Sequence, residues 1–212
     1  WARTKCGMAR WAARVRATIA ASVSVAIAVP AGLAIDRYRF PGRDALNGLF
    51  LSPLIIPHLV LGVAFLRLFA LIGATGSFLW LTLSHVIIVT PYVLRLVLAA
   101  LSGLDRSAEQ AALTLGASRF TVFRRVTVPM ILPGISGGWL IAFINSFDEL
   151  TMSIFVTSPS TVTLPVRMYM YASESIDPMM AAVSALMILV ATVTMIIIDR
   201  MFGLDRLLVG KG

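Results

Sequence analysis

The hydrophobic positions of this chain are gathered into runs too long for the core helices or strands of a water-soluble domain. A helix needs about 20 mostly apolar residues to cross a hydrocarbon core, and backbone amides cannot stay unpaired there. Five stretches meet this requirement, namely residues 17–35, 46–72, 77–101, 131–157 and 179–198. The pattern therefore predicts an all-α fold, a polytopic transmembrane helical bundle with five visible spans.

Proline residues predict a departure from a straight helix in the first two runs. Pro30 predicts a kink in the first span, which is otherwise rich in small residues that let helices approach closely. Pro53 and Pro57 each remove one helical hydrogen bond from the second run. We expect a bent helix over 46–72.

Composition agrees with a membrane protein. Hydrophobic residues make up 58% of the chain and charged residues 13%, against roughly 25% charged in soluble domains. The net charge of +8 comes from cations that lie singly or in small groups between the apolar runs, which favours membrane loops over a nucleic-acid-binding surface.

Cys6 is the only cysteine, and no metal-ligand spacing occurs. These features exclude an internal disulfide and give no indication of a metal site or of nucleic-acid binding.

The cations also predict an orientation, because Lys and Arg are enriched in cytoplasmic loops. They concentrate in 36–45, in 102–130 and at the C-terminus, whereas the tip at 73–76 is uncharged and Arg167 is the only cation in 158–178. We therefore expect the first group of segments in the cytoplasm. The domain division is a basic segment over 1–16, a membrane domain over 17–205 and a cytoplasmic tail over 206–212.

The basic N-terminal segment does not obey this rule. With the 36–45 loop inside, residues 1–16 and their five cations lie outside. We expect either that a preceding span is missing, so that the five visible spans are the remainder of a six-span pattern, or that the start is not native.

The polar loop over 102–130 predicts two short helices. Ser107 suits an N-cap and Gly116 a helix end, and a second helix over 118–126 would stop at Pro129. Apolar residues such as Leu115 and Phe120 lie outside the lipid there, so the base of the bundle or a cytoplasmic partner must cover them.

This loop resembles the coupling motif of binding-protein-dependent ABC importer permeases. The matching residues are Gln110-Ala111-Ala112, Gly116 and Val126-Thr127-Val128-Pro129. The family has Glu where this chain has Gln110 and Leu where it has Val128, and Glu109 is a candidate to supply the missing charge. The resemblance continues through PYVLR (91–95), LPG (132–134), SFDELTMSIFV (146–156) and TLPVRMYMYA (163–172).

The resemblance implies a multi-pass permease subunit of the bacterial inner membrane. Its partners would be a cytoplasmic ABC ATPase dimer, a second permease that is homologous or identical, an extracytoplasmic solute-binding protein, and membrane lipid. The cytoplasmic coupling helix would dock in a groove of the ATPase. The implied coupling residues are Glu109, Gln110, Ala111, Ala112, Gly116 and Pro129. The sequence has no phosphate-binding loop, so this chain is expected to be no enzyme, to bind no cofactor and to rely on ATP used by its partner.

Asp148 and Glu149 lie inside the run 131–157, where a central Asp costs about 2.5–3.5 kcal/mol. One explanation is a cationic solute on the transport path. The other is a pair with Arg95 or Arg67, or a cap on a helix broken near Ser146.

The SFDE stretch around these carboxylates resembles the spermidine/putrescine-type permeases, which implies a polyamine or related organic cation as the solute. Phe147 and Trp139 are candidates for cation–π contacts with it. An alternative function is an ion-coupled secondary transporter that uses the intramembrane carboxylates, although the inverted repeat typical of that class is not visible. His58 and His85 are expected to be hydrogen-bonded structural residues.

Overall fold

The computed structural model describes residues 2–174 and 178–202, in which every regular element is a helix. The α-helices are α1 (Ala2–Arg37), α2 (Arg43–Ile55), α3 (His58–Leu71), α4 (Phe78–Ser102), α5 (Ser107–Thr114), α6 (Arg119–Val122), α7 (Val128–Asp148), α8 (Ser153–Val156), α9 (Leu164–Glu174) and α10 (Pro178–Phe202). A π-helical turn, Phe123–Thr127, joins α6 to α7.

Within these ranges, three helical stretches are long and apolar enough to cross a membrane, namely Ala13–Arg37, Phe78–Ser102 and Arg119–Asp148. They correspond to the first, third and fourth predicted spans. The apolar part of α10, Ala181–Ile197, is shorter than these three. Helix α1 begins at Ala2 and runs without a break through position 16, where the sequence suggested a boundary.

Helices α1, α4 and α7 pack against one another and form the core of the bundle. The side of α1 that contacts its neighbours is lined by small, fully buried residues: Ala13, Ala17, Ala20, Ala21, Ser24 and Ala28. Ser24 Oγ accepts a hydrogen bond from Thr90 Oγ1 of α4 at 3.1 Å. Small side chains thus allow close packing, and a buried hydroxyl pair adds a polar contact between the helices.

Two glycines of α7 allow α4 to approach equally closely. A Cβ on Gly134 would lie 2.8 Å from the carbonyl oxygen of Leu96, and one on Gly138 would lie 3.1 Å from Cα of Val93. The spacing of four residues places both glycines on the same side of α7. Backbone-to-backbone contact therefore holds these two spans together.

The predicted bent helix over 46–72 is two helices, α2 and α3, at an angle of 104°. Pro57 is the N-cap of α3, and Ile56 before it is extended (φ −79°, ψ 126°), as expected for a residue that precedes proline. The pair is either one broken span or a re-entrant loop. The bend is thus confirmed, but it is far sharper than a kink within one continuous helix.

The predicted boundaries of the fourth span, 131–157, are wrong. The helix spans Arg119–Asp148 and Glu149 is its C-cap, so the helix begins earlier and ends sooner than the run of apolar residues. Asp148 and Glu149 consequently lie at the end of a span and not deep within it. The chain then forms the single turn α8, which packs against α3 beside Gly62.

Candidate functional sites at the two ends of α7

The loop before α7 contains the predicted helix α5, which ends at Gly116 as expected. Gly116 has φ +85°, its N–H donates to Leu113 O at 2.9 Å, and the N–H of Ala117 donates to Ala112 O at 3.1 Å. These two bonds form a Schellman motif, in which glycine adopts the left-handed conformation without a steric penalty. The turn points the chain from α5 into α6.

The start of α5 is capped by a residue that the sequence analysis did not identify. Ser107, predicted as the N-cap, is the first residue of the helix, and its N–H donates to Asp105 Oδ1 at 2.9 Å. The Ser107 hydroxyl also donates to Asp105 Oδ2. The hydrogen bond from the Ser107 hydroxyl, and to a smaller extent the one from its backbone N–H, hold the pKa of Asp105 below its ordinary value.

Glu109 faces the bundle and ties α5 to two other elements. It is buried, it is ion-paired with Arg37 at the end of α1, and it accepts a hydrogen bond from the Thr127 hydroxyl in the π-helical turn. A second ion pair joins Arg106 to Asp36 at 2.8 Å. Two ion pairs therefore fix the loop against the end of α1.

Three apolar side chains of this loop are exposed. Leu115 is 88% exposed, Phe120 70% and Leu113 44%, and Gln110 and Ala111 are also exposed. We call Leu113, Leu115 and Phe120 the apolar end surface. It lies beside a cleft of about 390 Å³ that Arg37, Tyr38 and Arg119 help to line.

Pro129 does not stop the second loop helix, contrary to expectation. It is the second residue of α7, and the helical path continues from Arg119 to Asp148 through the π-helical turn. The missing N–H of proline does little harm at the start of a helix, and a π-helical turn accommodates irregular hydrogen bonding. Pro129 is exposed and Ala112 is half-buried, so the six predicted coupling residues occupy different environments.

At the other end of α7, Asp148 and Glu149 differ in exposure. Asp148 is exposed and Glu149 is buried. Both contribute to a cleft of about 510 Å³ that Met168 and Tyr169 of α9 and Met187 of α10 also line. We call this the acidic cleft. Among the described residues, Asp148 has no hydrogen-bond or ion-pair partner.

Glu149 is held by α3 and by the backbone of the following turn. Its Oε2 lies 2.8 Å from His58 Nδ1, and its Oε1 accepts the N–H of Met152 at 2.7 Å. The partner is therefore His58 and not the suggested Arg67 or Arg95. The helix does not break near Ser146, as the other alternative assumed, but continues to Asp148. The bond from Met152 N–H to Glu149 caps the turn that follows this helix end.

A buried hydrogen-bond network continues from this point into the bundle. His85 of α4 contacts the hydroxyls of Ser146 at 3.0 Å and Ser153 at 3.1 Å. Arg16 of α1 donates to Ser146 O at 3.5 Å. Both histidines are thus hydrogen-bonded, as expected, and the network joins α1, α4, α7 and α8.

The two aromatic residues predicted to contact a cation do not line the acidic cleft. Trp139, Phe143 and Phe147 stack along α7 with ring centroids 5.4 Å and 5.9 Å apart. Phe147 is buried, and Trp139 Nε1 donates to Ser22 Oγ at 3.1 Å. The aromatic ring on the cleft is that of Tyr169, which no sequence signal distinguishes from the neighbouring tyrosines.

Residues 28–202 match the family model described as "Binding-protein-dependent transport system inner membrane component". The chain is 32% identical over 190 residues to the spermidine/putrescine transport system permease protein PotC of Escherichia coli (strain K12), covering 90% of this chain and 72% of that protein. It is 36% identical over 181 residues to the putrescine transport system permease protein PotI of the same organism, covering 81% and 64%.

The fold is also similar to that of a solved chain. An inward-facing structure of the MetNI methionine ABC transporter matches with a TM-score of 0.76 at 20% identity, covering 92% of this chain and 93% of that one. The family match extends over most of the chain, and the helical bundle agrees with it. This chain therefore belongs to the binding-protein-dependent inner membrane components, the permease subunits of ABC importers, and has spermidine/putrescine-type relatives.

Proposed function

We propose that this chain translocates a polyamine or related organic cation, delivered by a solute-binding protein, past the acidic cleft. The observation that carries the proposal is the exposed carboxylate of Asp148 on that cleft, which has no ion-pair partner in the described part of the chain. A carboxylate with no cation of its own favours a positively charged solute. The names of the PotC and PotI relatives support the same class of solute.

The energy of ATP hydrolysis is transmitted to this chain at the opposite end of α7, through the segment 107–125. We infer that a cytoplasmic ATPase subunit covers the apolar end surface, because an exposed Leu115 and Phe120 outside the lipid are typical of an interaction site. Gln110, Ala111 and Pro129 are exposed beside it and contribute to the contact. Ala112 and Gly116 shape the turn. Glu109 contributes indirectly, because its side chain holds α5 against the end of α1 and against the π-helical turn.

The orientation and the span count belong to the same proposal. The ion pairs Asp36–Arg106 and Arg37–Glu109 bring the ends of α1 and α4 to one side, in keeping with a cytoplasmic location for both loops. Counting the α2–α3 pair and α10 as spans gives five. The membrane domain starts before the predicted residue 17, because the span Ala13–Arg37 belongs to the bundle. Its predicted end at 205 and the tail over 206–212 lie outside the described residues. The remaining partners are a second permease and an ATPase dimer that uses the ATP.

The contacts of Glu149 argue against an ion-coupled secondary transporter. Glu149, one of its two candidate coupling groups, is occupied by His58 and by the N–H of Met152. The family to which the chain belongs also consists of components of binding-protein-dependent systems.

Replacing Leu115 with Asn should reduce the amount of ATPase subunit that co-purifies with the permease. Loss of one central apolar anchor of an interface costs more than about 1.4 kcal/mol, or about tenfold in affinity. Leu71→Asn is the matched control, since Leu71 is also exposed, at 77%, but lies at the other end of the bundle. Equal recovery of the ATPase with both variants would contradict the proposed docking site.

A further inference from the structure

The cleft of about 390 Å³ beside the apolar end surface combines cationic and apolar side chains. Its lining includes Leu33, Arg37, Tyr38, Arg119, Val122 and Phe123. We call it the basic cleft. It lies between the last turns of α1 and the loop helices before α7, and it shares no lining residue with the acidic cleft. The proposed solute path therefore does not account for it.

The cationic side of the basic cleft has hydrogen-bond donors to spare. Arg37 donates to Glu109 and to Thr127 through Nη2 alone, so its other two nitrogens have no partner within the described part of the chain. Arg119 is exposed, and its side chain forms no ion pair or hydrogen bond with the described residues. Tyr38 is 62% exposed and adds a phenolic hydroxyl. Guanidinium groups bind phosphate through paired N–H donors, so this side favours a phosphate-bearing ligand.

The charges around the cleft also favour an anion. Glu109 is the one carboxylate in the lining, and it is ion-paired with Arg37. Asp36, on the last turn of α1, is ion-paired with Arg106. Arg119 is thus left uncompensated among the described residues, and its charge attracts a negatively charged group.

The apolar side of the basic cleft lies toward the membrane. Leu33 precedes Arg37 by four residues, so the two lie on the same face of α1, with Leu33 one turn deeper in the span Ala13–Arg37. Val122 and Phe123 add apolar surface, and tyrosine, as at Tyr38, is typical of the membrane–water boundary. A phospholipid has the same order of groups, with an acyl chain beneath a phosphate. A free oxyanion would leave the apolar side unused.

We propose that the basic cleft binds an anionic phospholipid, whose phosphate is bound by Arg37 and Arg119 and whose acyl chain packs against Leu33. Basic pockets between membrane helices on the cytoplasmic side bind acidic headgroups by this chemistry, and the proposed orientation places the cleft on that side. The lipid links the end of α1 to α6. It therefore braces the segment through which the ATPase acts, and it takes no part in solute recognition.

Binding is tested on the complete transporter, delipidated in detergent, by native mass spectrometry with added phosphatidylglycerol. Arg119→Gln should lower the affinity for the most tightly bound lipid about fivefold, whereas Arg119→Lys should keep most of it, because lysine binds phosphate as a point charge. Arg39→Gln is the matched control, since Arg39 is exposed at the same end of α1 but does not line the cleft. A loss with Arg119→Gln no greater than that with Arg39→Gln would overturn the site.

The source of the phosphate is tested by competition. Inorganic phosphate at the concentration of the lipid should not displace phosphatidylglycerol. Phosphatidylcholine, whose headgroup has no net charge, should bind more weakly, and Leu33→Ser should weaken the binding of phosphatidylglycerol. Displacement by inorganic phosphate, together with no effect of Leu33→Ser, would show that the cleft binds a free oxyanion and would overturn the lipid.

A side chain of the ATPase is the competing occupant, because Leu113 belongs both to the cleft and to the apolar end surface. Co-purification of the ATPase in detergent without added lipid separates the two. The lipid site predicts equal recovery of the ATPase with Arg119→Gln and Arg39→Gln. Selective loss of the ATPase with Arg119→Gln would assign the cleft to the ATPase instead. Neither assay needs a solute, so both decide the inference even if the proposed solute class is wrong.

Discussion

Glu109 and Gln110 are adjacent residues with different roles. Successive helical residues point about 100° apart, so Glu109 faces α1 while Gln110 faces outward. The sequence identified both as coupling candidates, but it could not show which one the bundle uses. That depends on Arg37, which is 72 positions from Glu109 in the chain.

Replacing Glu109 with Ala should loosen the whole loop. The change leaves Arg37 without its carboxylate and Thr127 without its acceptor, and hydrogen bonds to charged groups contribute about 1.5–3 kcal/mol each before allowance for partial solvent exposure. Hydrogen–deuterium exchange over 107–127 should become faster. Gln110→Ala is the matched control and should leave the exchange unchanged. Equal exchange rates in the two variants would argue against an anchoring role for Glu109.

The pair His58–Glu149 shows the same limit of sequence reasoning. The sequence indicated that a carboxylate at 148 or 149 needs a partner, which follows from the cost of burying charge. It could not select His58, because the choice depends on how the bend at Pro57 places α3 beside α8. The suggested partners, Arg67 and Arg95, are exposed, and within the described part of the chain they form no ion pair with either carboxylate.

At the scale of elements, runs of apolar residues predicted the long helices well and their ends poorly. The third span, predicted as 77–101, is the helix Phe78–Ser102. The fourth was misplaced because the apolar run continues through the turn after Asp148 into α8. The position of Pro129 predicts a helix end, but proline is tolerated in the first turn of a helix and Pro129 lies there in α7. The Gly116 turn was predictable, since its signal is local.

Gly116→Val should disturb the turn between α5 and α6 and uncouple ATP hydrolysis from transport. The cause is backbone conformation, because a Cβ at this position would meet nothing within 4 Å whereas φ is +85°. A β-branched residue in this conformation costs about 1–2 kcal/mol or more. ATP hydrolysed per solute transported should rise.

Gly116→Asn is the matched control for this prediction. Asparagine adopts the left-handed conformation readily, so this variant should keep near-normal coupling despite its larger side chain. Uncoupling by Asn as severe as that by Val would indicate that crowding against a partner matters more than the backbone.

At the scale of the whole molecule, α7 connects the two candidate sites. Its 21 residues span about 31 Å at about 1.5 Å per residue, which is close to the thickness of a bilayer core. The glycine contacts with α4 and the small residues of α1 hold this helix rigidly in the core. In the proposed function, a displacement at the apolar end surface is expected to reach the acidic cleft along this helix.

The central claim is that ATP hydrolysis by a partner drives a cation through this chain. The most direct test is uptake of labelled spermidine into proteoliposomes that contain the complete transporter and its binding protein, with ion gradients collapsed by ionophores. The account predicts uptake that requires ATP on the side of the apolar end surface and is insensitive to the ionophores. Uptake without ATP, driven by an imposed ion gradient, would contradict it.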